Sequence, residues 1–144
     1  TEDARGIEIS QWAIDHAFCS DIHLGSCTDE NNYFGKRGAI HQYDLITAID
    51  VLEHLDDEDV NKTLHLMSEY SDRFLFSIPF KGSNGQSDDP NLYNDKTHKQ
   101  FRTKEDWKKL IESHGIKIED APTDWMFSSQ LLIGRKNESK NNQN

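Results

Sequence analysis

Asp50, Glu53 and His54 stand in the order acid-x-x-acid-His. Three such side chains can gather at one mouth of a sheet, and their oxygen and imidazole donors suit Mg²⁺ or Mn²⁺. His54 can equally hydrogen-bond a backbone group or a substrate. His98, in the run Asp95-Lys96-Thr97-His98, can be a general base for a hydroxyl, a fourth ligand, or a structural residue that pins its loop. Glu8 ends a short apolar segment, where a carboxylate can accept two hydrogen bonds from a diol or simply be a solvated acid. Cys19 and Cys27 are too few for a disulfide scaffold, so a reduced, cytosolic setting is the default. Cys27 has no His or Lys close in sequence, so a reactive thiol is not expected. His16, His23, His41, His65 and His114 show no ligand spacing and read as surface or structural residues.

These side chains need a scaffold, and the hydrophobic pattern supplies one. Residues 4–9 read as a short strand, and Ser10 as the N-cap of a helix to about Phe18. A second strand is expected at 21–24, followed by a polar loop at 25–37. Residues 43–49 form an apolar run of strand length, as in a parallel strand covered on both faces. Asp57 to Glu69 is an amphipathic helix with Val60, Leu64 and Met67 on one face and acids at its N-terminus. Residues 73–79 read as the next buried strand, stopped by Pro79. The Gly, Ser, Asn and Asp of 81–94 read as a mobile loop and a candidate lid over a substrate. Thr103 caps a helix through Ser113, with Asp106 completing a near capping box and Gly115 as the stop. Trp107, Leu110 and Ile111 should face the core. Two last strands, at 116–119 and 126–135, suggest an antiparallel hairpin at an edge, with Trp125 in its loop as a possible pocket residue. This alternation implies an α/β fold with a mostly parallel sheet. Residues 1–135 read as one domain and 136–144 as a disordered polar tail.

The composition narrows the partners. The 144 residues hold 16 Lys and Arg against 26 Asp and Glu, for a formal charge of −10. That balance argues against a protein that wraps phosphate backbones, because counterion release needs clustered Lys and Arg. It argues against anionic membrane surfaces for the same reason. No apolar run approaches the ~20 residues that span a bilayer.

Three segments carry a family resemblance: Gly6-Ile7-Glu8-Ile9-Ser10, Tyr43 through Leu55, and Asp95-Lys96-Thr97-His98 followed by Phe101, Trp107, Leu110 and Gly115. Over about residues 4–135 the chain resembles the C-terminal two-thirds of a class I S-adenosylmethionine-dependent methyltransferase. The resemblance implies a Rossmann-like three-layer α/β sandwich. It implies S-adenosylmethionine as methyl donor, and a small-molecule or metabolite acceptor. Glu8 would hold the ribose and Ile9 would pack beside the adenine. Ser26 and Cys27 would stand near the adenine amino group, with Asp29 or a plain loop as alternatives. Ile49 and Asp50 would pass the methionine part, Asp50 either orienting the ammonium or capping the next helix. His98 and His54 are the candidate catalytic residues, and no metal is assigned. The family's glycine-rich turn and first strand would precede Thr1. The expectation is therefore a fragment that alone is inactive and binds the cofactor weakly or not at all, or else a chain whose missing strand comes from a partner. Some methyltransferases hold a divalent metal in a similar Glu-x-x-Glu-His pattern, among them enzymes acting on the 2′-hydroxyl at RNA 3′ ends. A metal-dependent enzyme of that kind is one alternative, though here Asp50 replaces the first Glu and the acidic charge makes nucleic acid an unfavoured partner. A non-catalytic methyltransferase-like module completed by a partner chain is another, and a nicotinamide-dependent dehydrogenase a weaker one.

Overall fold

The structure is a computed structural model that describes residues 4–33, 43–83, 85–120 and 130–137. The chain divides into two compact units, residues 1–41 and 42–144.

In the first unit, β1 (Gly6–Glu8) and β2 (Ile22–Leu24) pair in parallel through Gly6–Ile22, Ile7–His23 and Glu8–Leu24. Between them lies α1 (Gln11–Asp15), whose N-terminus is capped by Ser10 accepting from the Ala13 amide at 3.2 Å. The expected helix to Phe18 is cut to five residues. The reason is energetic: none of its residues is buried, and Trp12 and Phe18 are exposed, so no packing supports another turn. A 3₁₀ turn, Glu30–Tyr33, follows β2.

In the second unit the strands are β3 (Ile46–Ile49), β4 (Arg73–Ser77), β5 (Ile116–Asp120) and β6 (Leu131–Lys136), in the spatial order β3-β4-β6-β5. β3 and β4 are parallel, and β6 runs antiparallel to both β4 and β5. The edge hairpin is thus present, with its second strand placed between β4 and β5. The β6 strand reaches Lys136, inside the stretch read as tail. Residues 138–144 of that tail, together with Trp125 and His41, lie outside the described residues.

The parallel β3–β4 step is crossed by α2 (Asp57–Tyr70), capped by the Asp56 carboxylate on the Asp59 amide and burying Val60, Leu64, Leu66 and Met67. α3 (Lys104–Ser113) starts at the Thr103 cap, buries Trp107 and Ile111, and packs on β5. Gly115 closes it with φ +77°, the left-handed turn that glycine takes without cost. Phe74 and Phe76 are two apart on β4, share a face, and are fully buried. Opposite Phe74 stands Gly134, where a Cβ would lie 2.7 Å from Ile116 Cγ2 and 3.1 Å from Phe74 Cβ.

β3 departs from its expected burial on both faces. Ala48 is buried, but Thr47 is exposed and Ile49 retains 47% of its accessible surface. Among the described residues β3 is the edge strand of its sheet, with β4 as its neighbour, and Thr47 and Ile49, two apart, share its exposed face. Among the described residues no helix is long and apolar enough to cross a membrane.

Candidate functional site

A cavity of about 380 Å³ lies where β3 and β4 end, lined by Asp50, Glu53, His54, Pro79, Asp95 and His98 among others. Chain direction puts it there: parallel strands present their C-terminal ends, and the turns that leave them, to one side of the sheet. The first residue past β3, Asp50, has φ +51°, a conformation in which Asp is one of the few tolerated side chains. Its amide donates to the Ser77 carbonyl at 3.0 Å, and its carboxylate accepts the Ser77 hydroxyl at 2.9 Å. Asp50 therefore does not cap the following 3₁₀ turn, Leu52–His54, which has no side-chain cap. Of the two uses read for this carboxylate, the capping one is removed.

That turn delivers Glu53 and His54 to the cleft. Its position is held from across the cavity. The Lys99 and Gln100 amides donate to the Glu53 carbonyl at 2.7 and 3.1 Å. The buried Gln100 side chain donates to the Leu55 carbonyl at 2.8 Å and to Asp57 at 3.0 Å, and Arg102 donates to both Gln100 and Asp57 at 2.8 Å. These bonds hold the Asp57 carboxyl below the usual range, Gln100 contributing most and Arg102 next. They tie the segment around residues 52–57 to the one around 95–102, and so place His54 beside His98.

The two imidazoles stand edge to face, centroids 4.7 Å apart. His54 Nδ1 lies 2.9 Å from Thr97 Oγ1, and the Thr97 hydroxyl donates to Asp95 at 2.6 Å. The Thr97 amide also reaches Asp95, at 2.8 Å, and the two bonds hold the Asp95 carboxyl down. His98 Nδ1 lies 2.8 Å from the Leu92 carbonyl.

Glu53 is the anomaly of the site. It is 1% exposed, and its Oε2 is buried without a hydrogen-bond partner. Burial pushes its carboxyl up to about 7, helped by the charges of Asp50 and Asp95 and opposed by its backbone hydrogen bond and by His98. Glu53, His54 and His98 each bring one donor atom within 4.8 Å of the others. Opposite ligands of a cation bound at about 2.0–2.6 Å stand about 4–5 Å apart, so one divalent ion can reach all three. The same groups can instead take a proton from an acceptor or orient it.

The remaining candidates belong to the first unit. Glu8 Oε1 accepts the Ser10 amide at 2.8 Å, which steadies the carboxylate at the end of β1 and leaves lone pairs for a second partner. Ile9 beside it is 77% exposed. Ser26 Oγ accepts the Thr28 amide at 3.1 Å and shares a hydrogen bond with Thr28 Oγ1, so its hydroxyl already serves the local turn. The Cys27 carbonyl accepts from Tyr33 at 2.8 Å. Asp29 accepts from the Asn31 amide and side chain, at 3.0 and 2.9 Å, and so serves the same loop.

Sequence reading passed over Thr97, Gln100 and Ser77. Their bonds to His54, Leu55 and Asp50 span 43, 45 and 27 positions, so no local spacing marks those links.

No family model and no curated protein matches the chain. Solved structures do. A SAM-dependent methyltransferase from Archaeoglobus fulgidus aligns with 91% of this chain and 75% of its own at 19% identity and a TM-score of 0.64. An O-methyltransferase family protein from Burkholderia thailandensis aligns with 81% of this chain at 12% identity and a TM-score of 0.57, and the chain spans only 35% of it. Magnesium protoporphyrin IX methyltransferase from Synechocystis PCC 6803, with bound SAM, aligns with 92% of this chain and 58% of its own at 15% identity and a TM-score of 0.58. Strand order, the crossover by α2, the edge hairpin and these likenesses agree: the chain has a class I methyltransferase-like fold.

Proposed function

We propose that the protein is an S-adenosylmethionine-dependent methyltransferase that acts on a small polar acceptor. The observation that carries this reading is the cleft at the C-terminal ends of β3 and β4, with two imidazoles and a buried carboxylate, in a class I methyltransferase-like fold. Each unit by itself offers groups that suit part of the donor. In the first, Glu8 has carboxylate lone pairs left that suit a ribose diol, and Ile9 an exposed apolar side chain that suits a purine. In the second, Ile49 and Asp50 stand at the end of β3, where the family resemblance would put the methionine part. The donor supplies an activated methyl group. The protein's own contribution is alignment, exclusion of water, and a base for the acceptor's proton at His54 or His98.

Titration of the ¹⁵N-labelled chain with S-adenosylmethionine tests this, because amide shifts report even millimolar binding. Shifts are expected at Ile49, Asp50 and Val51, where β3 ends. Asp44, Asp72 and Arg73, at the opposite strand ends, should stay still. Shifts confined to Asp44, Asp72 and Arg73 overturn the reading.

A second reading is favoured by the orphaned Glu53 Oε2: a divalent cation held by Glu53, His54 and His98 in the same cleft. The cation would neutralise the buried carboxylate and orient the acceptor's oxygen. Calorimetric titration with Mn²⁺ should show one site that Glu53→Gln abolishes. Equal heats from the wild type and the variant exclude it.

A further inference from the structure

The hydroxyl of Thr97 has one proton, and its direction decides the chemistry of His54. Oγ1 lies 2.6 Å from Asp95 Oδ1, and Asp95 is an acceptor only, held ionised by its bonds from Thr97. The proton therefore goes to Asp95. Thr97 then has only lone pairs to offer His54, whose Nδ1 lies 2.9 Å away, so His54 Nδ1 is the donor. A neutral imidazole carries one N–H, which leaves Nε2 of His54 as a bare lone pair. A free neutral histidine in water prefers the other tautomer, with the proton on Nε2. The hydrogen-bond chain reverses that preference.

We propose that Thr97, backed by Asp95, is a positioning residue that sets the tautomer of His54 and keeps its Nε2 an acceptor. The proposal deepens the methyltransferase reading and rests on it for its use: Nε2 in this form can take the proton of an acceptor hydroxyl, the O–H bond breaking as the N–H bond forms. The same lone pair is what a cation would need, with Thr97 and Asp95 then acting behind the ligand.

His98 is an internal control. Its Nδ1 faces the Leu92 backbone carbonyl at 2.8 Å, and a carbonyl can only accept, so His98 holds the same tautomer by a bond that no change at Thr97 removes.

Long-range ¹H–¹⁵N correlation spectra of the imidazoles, taken at a pH where both are neutral, test the proposal without cofactor or acceptor. In the wild type both His54 and His98 should carry the proton on Nδ1. Thr97→Val keeps the shape and removes the acceptor, so His54 should move toward the Nε2–H form while His98 stays unchanged. Thr97→Ser should restore the wild-type signals. In a methyl-transfer assay of a chain that also carries the glycine-rich turn, the valine variant should lose about tenfold or more in kcat with KM little changed, and the serine variant should recover it. Wild-type His54 protonated on Nε2, or a valine variant with unaltered His54 ring-nitrogen shifts, overturns the proposal. Should Thr97→Val fail to fold, the wild-type tautomer decides alone. Because the ring-nitrogen shifts are read in the free protein, the tautomer assignment stands or falls without any methyl transfer, which this chain alone is not expected to carry out.

Discussion

Glu53 is where a single residue sets a property of the fold. Its carboxyl sits near 7 in the folded protein because burial penalises the charge, against 4.5 as its ordinary value. The unfolded chain therefore releases this proton first. Between about pH 4.5 and 7 the unfolded state binds fewer protons, and stability falls as pH rises through that window and levels above it. Glu53→Gln removes the charge at nearly constant shape. In metal-free buffer the variant should be more stable than the wild type at pH 8 by about 1–2 kcal/mol, and the gap should close below pH 5. Urea melts across that range check it, and parallel wild-type and variant curves would refute it. The residue's presence in an acid-x-x-acid-His run was legible because all three members fall within the five positions 50–54. Its burial was not, since that depends on Lys99 and Gln100 docking on its carbonyl from a distant segment.

At the scale of elements, legibility follows how local the cause is. α2 and α3 announce themselves by caps and spacing, and both begin at the expected residues. Thr103→Ala removes the acceptor for the Asp106 amide and should cost about 1 kcal/mol, while Thr103→Ser should be nearly silent. Strands are decided by neighbours that the local pattern does not name. β3 has an apolar run suited to two covered faces, yet at the sheet edge Thr47 and Ile49 stay open. The insertion of β6 between β4 and β5 rests on Gly134, whose missing Cβ admits Phe74 and Ile116. Gly134→Ala forces overlap in a packed layer and should cost about 1–3 kcal/mol. Thermal melts of the two variants rank the causes: a larger drop for Gly134→Ala than for Thr103→Ala is expected, and the reverse order would mean that the layer yields.

For the whole molecule the governing quantity is charge. A formal charge of −10 on 144 residues repels polyanions at long range, and the acids Asp50 and Asp95 of the cleft repeat that sign where an acceptor would bind. Lys96 also lines the cleft, and among the described residues that line it Lys96 is the one Lys or Arg against those acids. This separates a small polar acceptor from an RNA end more sharply than fold does, because one fold hosts both kinds of substrate. A protein that docks on RNA through Lys and Arg binds tightly at low salt and weakens steeply as salt rises, through counterion release. Here the expectation is the opposite. Fluorescence anisotropy with a short labelled single-stranded RNA should show no saturable binding at micromolar protein in about 20 mM salt, where screening is weakest, with or without Mn²⁺. Saturable binding that fades steeply with added salt would place a cationic surface outside the cleft and make an RNA 3′ end the acceptor to test. Binding only in the presence of Mn²⁺, lost in Glu53→Gln, would instead route the RNA through the cleft itself, the cation having reversed its sign.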